Sequence, residues 1–186
     1  MDDLSTILLI EDNPDDVELV THAFRKAEIP NPLIVVDDGD KAIDYLKSRA
    51  AYSDRAKYPL PGLILLDLKL PRRSGFEVLE AIRANEETRR TPVVVLTSSN
   101  QETDIERAYD VGANSYLVKP GDLSALVELV KSVDAYWITL NMKPGAENVA
   151  GALVNGVPGI RPVTVGRGMV SPTAEPRVSW VTRETG

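Results

Sequence analysis

Five short apolar runs recur along the chain, and longer segments of mixed character separate them. The runs are rich in Val, Ile and Leu and occupy residues 7–10, 33–36, 63–66, 93–96 and 115–118. Continuous apolar runs of about four residues are typical of strands that are covered on both faces, as in a parallel sheet. The pattern therefore predicts five buried parallel strands.

The segments between the runs carry apolar residues at helical spacing. The first opens with Asn13, Pro14 and two carboxylates, which suit a helix cap, a first turn and the positive end of the dipole. The four other predicted helices are residues 40–48, one that opens at Gly75, about 102–111, and about 122–140. Five repeats of strand and helix predict an α/β fold, a doubly wound five-stranded parallel sheet flanked by five helices.

The composition changes near residue 142. Pro and Gly make up roughly a quarter of residues 142–186, and helical periodicity disappears there. We predict a folded domain over residues 1–141 and a tail over 142–186 that is mostly disordered or serves as a docking arm. Two tail segments, 161–165 and 177–181, have the alternation of strands that need a partner.

Polar side chains follow four of the predicted strands. Glu11 and Asp12 follow the first strand, Asp67 the third, Thr97 the fourth and Lys119 the fifth. In such sheets the ligand crevice lies beyond the carboxyl ends of the strands, where the strand order reverses. We expect these side chains to meet there, and together they predict a magnesium-dependent acyl-phosphate site.

The acidic residues indicate the metal. Three carboxylates about 5 Å apart repel by about 3 kcal/mol per pair at an effective dielectric near 20, so the cluster must stay hydrated or hold a cation. The chain has no Cys and one His, and oxygen ligands alone favour Mg²⁺. Asp12 and Asp67 are the predicted direct ligands, Glu11 acts through water, and the backbone carbonyl of Lys69 completes the set.

Three residues have roles in handling phosphate. Asp67 can attack a phosphoryl group to give an aspartyl phosphate, while Lys119 and Thr97 bind the phosphoryl oxygens. Taken singly, each has an ordinary interpretation as a turn former, a surface lysine or a hydroxyl that bonds its own turn. Their occurrence together, after the appropriate strands, favours the functional interpretation. A cis bond before Pro120 would aim the ammonium inward.

From Ser5 to about Leu140, the chain resembles the receiver domains of response regulators in two-component systems. The motifs that carry the resemblance are residues 8–13 (LLIEDN), 65–71 (LLDLKLP), 94–99 (VVLTSS) and 112–120 (GANSYLVKP). The resemblance implies the flavodoxin-like strand order 2-1-3-4-5 and phosphotransfer from a sensor histidine kinase onto Asp67. It also implies Mg²⁺ at Asp12, Asp67 and the Lys69 carbonyl, slow hydrolysis, and a cis Lys119–Pro120 bond.

The resemblance also implies a partner and a switch. Residues 13–16, 97–99 and 136–137 are similar to those of the small regulators paired with bacterial phytochromes, so a bacteriophytochrome kinase is the expected partner. Thr97 is expected to swing toward the phosphoryl group, after which Tyr116 turns inward and reshapes the face of the fourth helix, fifth strand and fifth helix. Ordinary strand packing of Tyr116 is the alternative.

The fifth predicted helix is apolar over about half its circumference, more than packing on a sheet requires. We therefore expect a homodimer, or coverage of this face by the chain's own tail. The predicted dimer face consists of Leu129, Val133, Tyr136, Trp137 and Leu140.

Charge and composition exclude several classes of partner. The net charge of −7 argues against nucleic acid and membrane surfaces, and the absence of Cys suits a cytoplasmic protein. We expect a phosphoacceptor signalling protein rather than an enzyme, limited to phosphotransfer and slow autodephosphorylation. The alternative is a hydrolase of the haloacid dehalogenase type. Such enzymes need a second acid two residues after the nucleophile, where this chain has Lys69.

Overall fold

The computed structural model describes residues 4–142. The predicted tail lies outside this range apart from Met142, and so do its two candidate strands at 161–165 and 177–181. The division into a domain of residues 1–141 and a tail therefore stays a prediction.

The described residues contain one sheet of five parallel strands. These are β1 (Ile7–Ile10), β2 (Leu33–Val36), β3 (Leu63–Leu66), β4 (Val93–Thr97) and β5 (Ser115–Val118). Their order is β2-β1-β3-β4-β5, so β1 and β3 are neighbours and the strand order reverses between them. Strands β1, β3 and β4 are buried along their whole length, which explains their continuous apolar runs. The predicted doubly wound fold and its strand order are confirmed.

Helices connect the strands. They are α1 (Pro14–Lys26), α2 (Gly39–Leu46), α3 (Gly75–Ala84), α4 (Glu102–Val111) and α5 (Leu123–Val133). Local chemistry sets their ends: the Asn13 side chain accepts a hydrogen bond from the Asp15 amide at 3.0 Å, and α4 stops at Gly112, whose φ is 106°. No helix within residues 4–142 is long and apolar enough to cross a membrane.

Two apolar cores lie on opposite faces of the sheet. The first core joins the sheet to α2, α3 and α4, and its largest buried side chains include Tyr45, Leu79 and Ile82. The second core joins it to α1 and α5 through residues such as Phe24 and Val130. Because both faces are covered, only the ends of the strands are left for polar chemistry.

The last helix differs from its prediction. The pattern predicted one helix to about Leu140, but α5 ends at Val133 and residues Asp134–Leu140 form a π-helix. The Asn141 amide donates to the carbonyl of Tyr136, five residues earlier, at 2.8 Å. Trp137 in this wider segment packs against the second core. The apolar stripe of the sequence predicts a helix here but does not specify its hydrogen-bonding pattern.

The long connection between α2 and β3 is held by one arginine. The Arg55 guanidinium donates to the carbonyls of Tyr45 and Leu46, both at 2.9 Å, and to that of Tyr58 at 3.3 Å. It therefore caps the C-terminal end of α2, where carbonyls lack helical partners. The rings of Tyr45, Tyr52 and Tyr58 pack against one another beside it, with centroids 5.1 to 6.0 Å apart.

Replacing Arg55 with Ala should lower the free energy of unfolding by about 1–3 kcal/mol, because three backbone carbonyls lose a charged donor. Urea denaturation measures this change. Arg49→Ala is the matched control, since the exposed Arg49 side chain donates no hydrogen bond within residues 4–142. Equal destabilisation by the two variants would contradict the capping role.

Candidate phosphoacceptor and metal site

Three acidic side chains meet at the carboxyl ends of β1 and β3. Ile10 lies opposite Leu66 in the parallel pairing of these strands, so Glu11 and Asp67 leave the sheet side by side. One carboxylate oxygen from each of Glu11, Asp12 and Asp67 lies within 4.8 Å of the others. Glu11 is 1% exposed and Asp67 6%, whereas Asp12 is exposed, so the cluster opens to solvent on one side.

The cluster suits a divalent cation. Burial raises the pKa of the Glu11 carboxyl above its usual value, while the hydrogen bond from Lys119 opposes that rise. Two further carboxylates within 4.8 Å leave the pocket with excess negative charge. Oxygen ligands in a partly hydrated cluster fit a hard cation, which would relieve the repulsion. These residues therefore fit the predicted metal.

Lys119 provides the positive charge of the pocket. It follows β5, and its Nζ forms ion pairs with Glu11, with Asp16 at 2.8 Å and with Asp67 at 3.8 Å. Burial by itself lowers the pKa of Lys119, but hydrogen bonds to Asp16 and Glu11 outweigh burial and hold the pKa above its usual value. The ammonium is therefore fixed in its charged form next to Asp67.

Thr97 ends β4 and is fully buried. Its carbonyl accepts a hydrogen bond from the Lys119 amide at 2.8 Å, which ties the ends of β4 and β5 together. The Ser99 amide lies 3.4 Å from Thr97 Oγ1, so the hydroxyl has only a long contact with its own turn. The predicted hydroxyl donor thus stands at the same edge of the sheet as the acids.

Tyr116 on β5 contacts the loop that follows Thr97. Its hydroxyl donates to the carbonyl of Ser99 at 3.1 Å, and its ring packs against the first core. The Ser99 hydroxyl in turn donates to Asp104 on α4 at 2.6 Å. Contacts through Ser99 therefore run from Thr97 to both Tyr116 and the first turns of α4.

The loop after Asp67 is held by ion pairs to the loop after β2 and to the first turn of α2. Arg72 pairs with the buried Asp38, and Arg73 with Asp40 at 2.7 Å. Burial raises the pKa of Asp38, but the hydrogen bonds from Arg72 and the backbone outweigh burial and leave the pKa below its usual value. Lys69 is exposed in this loop, and the role of its carbonyl as a metal ligand stays a prediction.

Close backbone packing fixes the far end of the same loop. The Gly75 amide donates to the Leu68 carbonyl at 3.0 Å. A Cβ on Gly75 would lie 2.2 Å from the carbonyl oxygen of Asp67, so only glycine fits this contact. The first turn of α3 therefore abuts the backbone that carries Asp67.

One prediction about this edge is wrong. No cis peptide bond occurs within residues 4–142, so the bond before Pro120 is trans. The Lys119 ammonium reaches Glu11 and Asp16 from the trans form, which is also the lower-energy isomer of an X–Pro bond.

Sequence reasoning missed two acidic contacts. The sequence pattern assigns Asp16 to the dipole of α1 and to a motif shared with small regulators, but not to Lys119, to which it is hydrogen-bonded. Its place in the third helical position was a usable signal, because helical side chains point back toward the N-terminus and here toward the end of β1. Asp104 carried no comparable signal, since its link to Ser99 depends on how the loop before α4 folds.

The family description "Response regulator receiver domain" matches residues 7–131. The chain belongs to this family. The match confirms the resemblance drawn from the four motifs, and it gives no support to the haloacid dehalogenase alternative.

Several named members of the family are similar to this chain in sequence or structure. The chain is 38% identical over 140 residues to response regulator Rcp1 of Synechocystis, spanning 75% of this chain and 93% of the relative. The phosphorylated cyanobacterial phytochrome response regulator RcpA is similar in structure, with a TM-score of 0.70 and 38% identity over 76% of this chain and 99% of that one. The Mn²⁺-bound form of Rcp1 gives a TM-score of 0.68 and 37% identity over 75% and 99%. Receiver structures of this family thus bind divalent metal.

The five residues of the predicted dimer face differ in their exposure to solvent. Tyr136 is 55% and Leu140 53% exposed, Leu129 and Trp137 are half-buried, and Val133 belongs to the second core. All except Leu140 line a shallow groove of about 540 Å³ between β5 and the last helix. The rings of Tyr136 and Trp137 meet edge to face with centroids 4.8 Å apart.

Mg²⁺ should stabilise the receiver against unfolding, because the ion binds the assembled carboxylates and not the unfolded chain. At about one hundred times the dissociation constant the gain is about 2.7 kcal/mol. Asp12→Asn should remove most of this gain in thermal or urea unfolding followed with and without Mg²⁺. Asp15→Asn, an exposed carboxylate outside the cluster, should keep it. An undiminished gain in Asp12→Asn would contradict the site.

Proposed function

We propose that the receiver accepts a phosphoryl group from a sensor histidine kinase on Asp67, with Mg²⁺ bound beside it. The observation that carries this proposal is the position of the Asp67 carboxylate, which shares a pocket with two other acids and lies 3.8 Å from the Lys119 ammonium. A nucleophile, a set of cation ligands and a fixed positive charge are the components that phosphoryl transfer needs.

The transfer exchanges one bond to phosphorus for another. A carboxylate oxygen of Asp67 attacks the phosphorus of a phosphohistidine, a P–O bond forms, and the P–N bond breaks with its electron pair left on the imidazole. Lys119 and the Thr97 hydroxyl bind the phosphoryl oxygens and keep them aligned. Water later cleaves the acyl phosphate, and this slow hydrolysis ends the signal. The proposed chemistry of the chain is limited to these two steps.

Mg²⁺ at Asp12, Asp67 and the Lys69 carbonyl, with Glu11 acting through water, would neutralise charge on the phosphoryl oxygens. Oxygen-only donors support this ion over metals that prefer nitrogen or sulfur. The Mn²⁺-bound form of the relative Rcp1 supports a divalent ion in this chain.

We propose that Thr97 and Tyr116 carry the switch. Phosphorylation adds charge and strong acceptor oxygens, toward which the Thr97 hydroxyl moves. The hydrogen bond from Tyr116 to Ser99, two residues after Thr97, supports coupling between loop and ring. The phosphoryl group then biases an existing equilibrium of the face formed by α4, β5 and α5.

The proposed kinase is of the bacteriophytochrome type, and the proposed location is the cytoplasm. One of the named relatives supports the kinase: the cyanobacterial phytochrome response regulator RcpA, which is 38% identical to this chain. The lack of Cys supports a reducing compartment.

Incubation with Mg²⁺ and a panel of phosphorylated histidine kinases, including a phytochrome kinase, tests the proposal. We expect fast transfer from one kinase to the wild-type protein and no transfer to Asp67→Asn, since an amide is a poor nucleophile. Asp37→Asn is the control: it removes an exposed carboxylate that also directly follows a strand. Radiolabel transfer measures the outcome, and an Asp67→Asn protein that accepts phosphate normally would overturn the assignment.

We propose that the receiver forms a homodimer through the face of the last helix. Two strongly exposed apolar side chains, Tyr136 and Leu140, lie beside an apolar groove and support a second contact. A two-fold dimer would cover the same surface on both copies.

Leu140→Glu should shift the dimer to monomer at micromolar concentration, because a charge would be buried at the contact. Sedimentation measures the change with and without phosphorylation. Leu60→Glu places the same charge on another exposed leucine, outside this face, and should leave the dimer intact. A wild-type protein that sediments as a monomer in both states would reject the dimer.

A further inference from the structure

Asp16 holds the ammonium that phosphoryl transfer needs. Lys119 Nζ hydrogen-bonds Asp16 Oδ2 at 2.8 Å, whereas Asp67 Oδ2 lies 3.8 Å away, beyond hydrogen-bond distance. The other close acceptor of the ammonium is Glu11. In this arrangement the ammonium is bonded to α1 and to the end of β1 more closely than to the phosphoacceptor.

The contact depends on the fold of α1 and not on a strand end. Asp16 occupies the third position of α1, and 103 residues separate it from Lys119 in the chain. The Lys119 side chain is 10% exposed and the Asp16 side chain 29%, so solvent screens the pair only in part. An ion pair with one nearly buried partner has more effect than a surface pair.

The charge of Asp16 has opposite consequences for the two ligands of the pocket. It adds a fourth carboxylate to the three that cluster near Lys119, which favours a bound cation. The same charge repels a phosphoryl group and competes with it for the ammonium. Loss of the charge should therefore weaken cation binding and strengthen phosphoryl binding.

We propose that Asp16 is a positioning residue that retains Lys119 on the α1 side of the pocket and so sets the balance between cation and phosphoryl binding. The inference rests on the proposed phosphorylation of Asp67. On phosphorylation the Lys119 ammonium turns from Asp16 toward the phosphoryl oxygens. Breaking the ion pair with Asp16 is therefore part of the free-energy difference between the unphosphorylated and phosphorylated receiver.

Asp15 provides a matched control. It precedes Asp16 in the first turn of α1 and carries the same charge at the same helix end, but it is exposed and does not contact Lys119. An effect of Asp16 through the helix dipole alone would be reproduced by Asp15→Asn. An effect through Lys119 would not.

The experiment compares full-length wild type, Asp16→Asn and Asp15→Asn in three measurements. NMR of the lysine ammonium groups in metal-free protein reports the Lys119 contact. Calorimetric titration with Mg²⁺ gives the cation affinity. Titration with beryllium fluoride at saturating Mg²⁺ gives the affinity for a mimic of the phosphoryl group.

For Asp16→Asn we expect a shifted or broadened Lys119 signal, Mg²⁺ affinity about threefold to tenfold weaker, and beryllium fluoride affinity about threefold to tenfold tighter. Asp15→Asn should change each affinity by less than about twofold. Opposite shifts for Mg²⁺ and beryllium fluoride are the signature, because a merely structural defect would weaken both.

Unchanged affinities, a loss of both, or equal effects of the two variants would overturn the role of Asp16. Failure of the proposed function looks different. A wild-type protein that takes no phosphoryl group from phosphorylated kinases would overturn the assignment of Asp67, whereas the ammonium signal and the Mg²⁺ titration do not depend on phosphorylation.

Discussion

Repulsion among buried carboxylates is the constraint on which the functional edge of this protein depends. Glu11 and Asp67 are almost fully buried, and with Asp12 they bring three carboxylate oxygens within 4.8 Å of one another. Within residues 4–142, the Lys119 ammonium offsets part of this charge by pairing with Glu11 and Asp67. Excess negative charge remains, and this is the condition under which a divalent cation would bind to the carboxylate oxygens.

The parallel sheet makes this crowding possible. Both faces of the sheet are covered by apolar cores, so charged groups are confined to the ends of the strands. Pairing of β1 with β3 fixes the acids side by side, and the bond from the Lys119 amide to Thr97 fixes the ends of β4 and β5. The hydrogen bonds that form the fold are thus the same ones that position the chemistry.

Polar contacts join the rim of the pocket to neighbouring elements. Ser99 contacts Thr97, Tyr116 and Asp104, which links the loop after β4 to both β5 and α4. On the opposite side, Arg72 pairs with Asp38 in the loop after β2, and Arg73 pairs with Asp40 in the first turn of α2. One side of the rim is thus joined by neutral and charged hydrogen bonds through Ser99, and the other by arginine–carboxylate ion pairs.

The sequence by itself determined the strands, their parallel arrangement and the residues at their ends, because apolar runs and polar boundaries are local properties of the chain. Glu11, Asp67, Thr97 and Lys119 were predictable for this reason. Only the tertiary structure decided the pairing of Asp16 with Lys119, because it joins residues 103 positions apart. It also decided the trans bond before Pro120, because the two isomers of an X–Pro bond differ by only about 0.5–1 kcal/mol. The π-helix at Asp134–Leu140, a rare form, likewise appears only in the folded chain, where Trp137 packs against the second core.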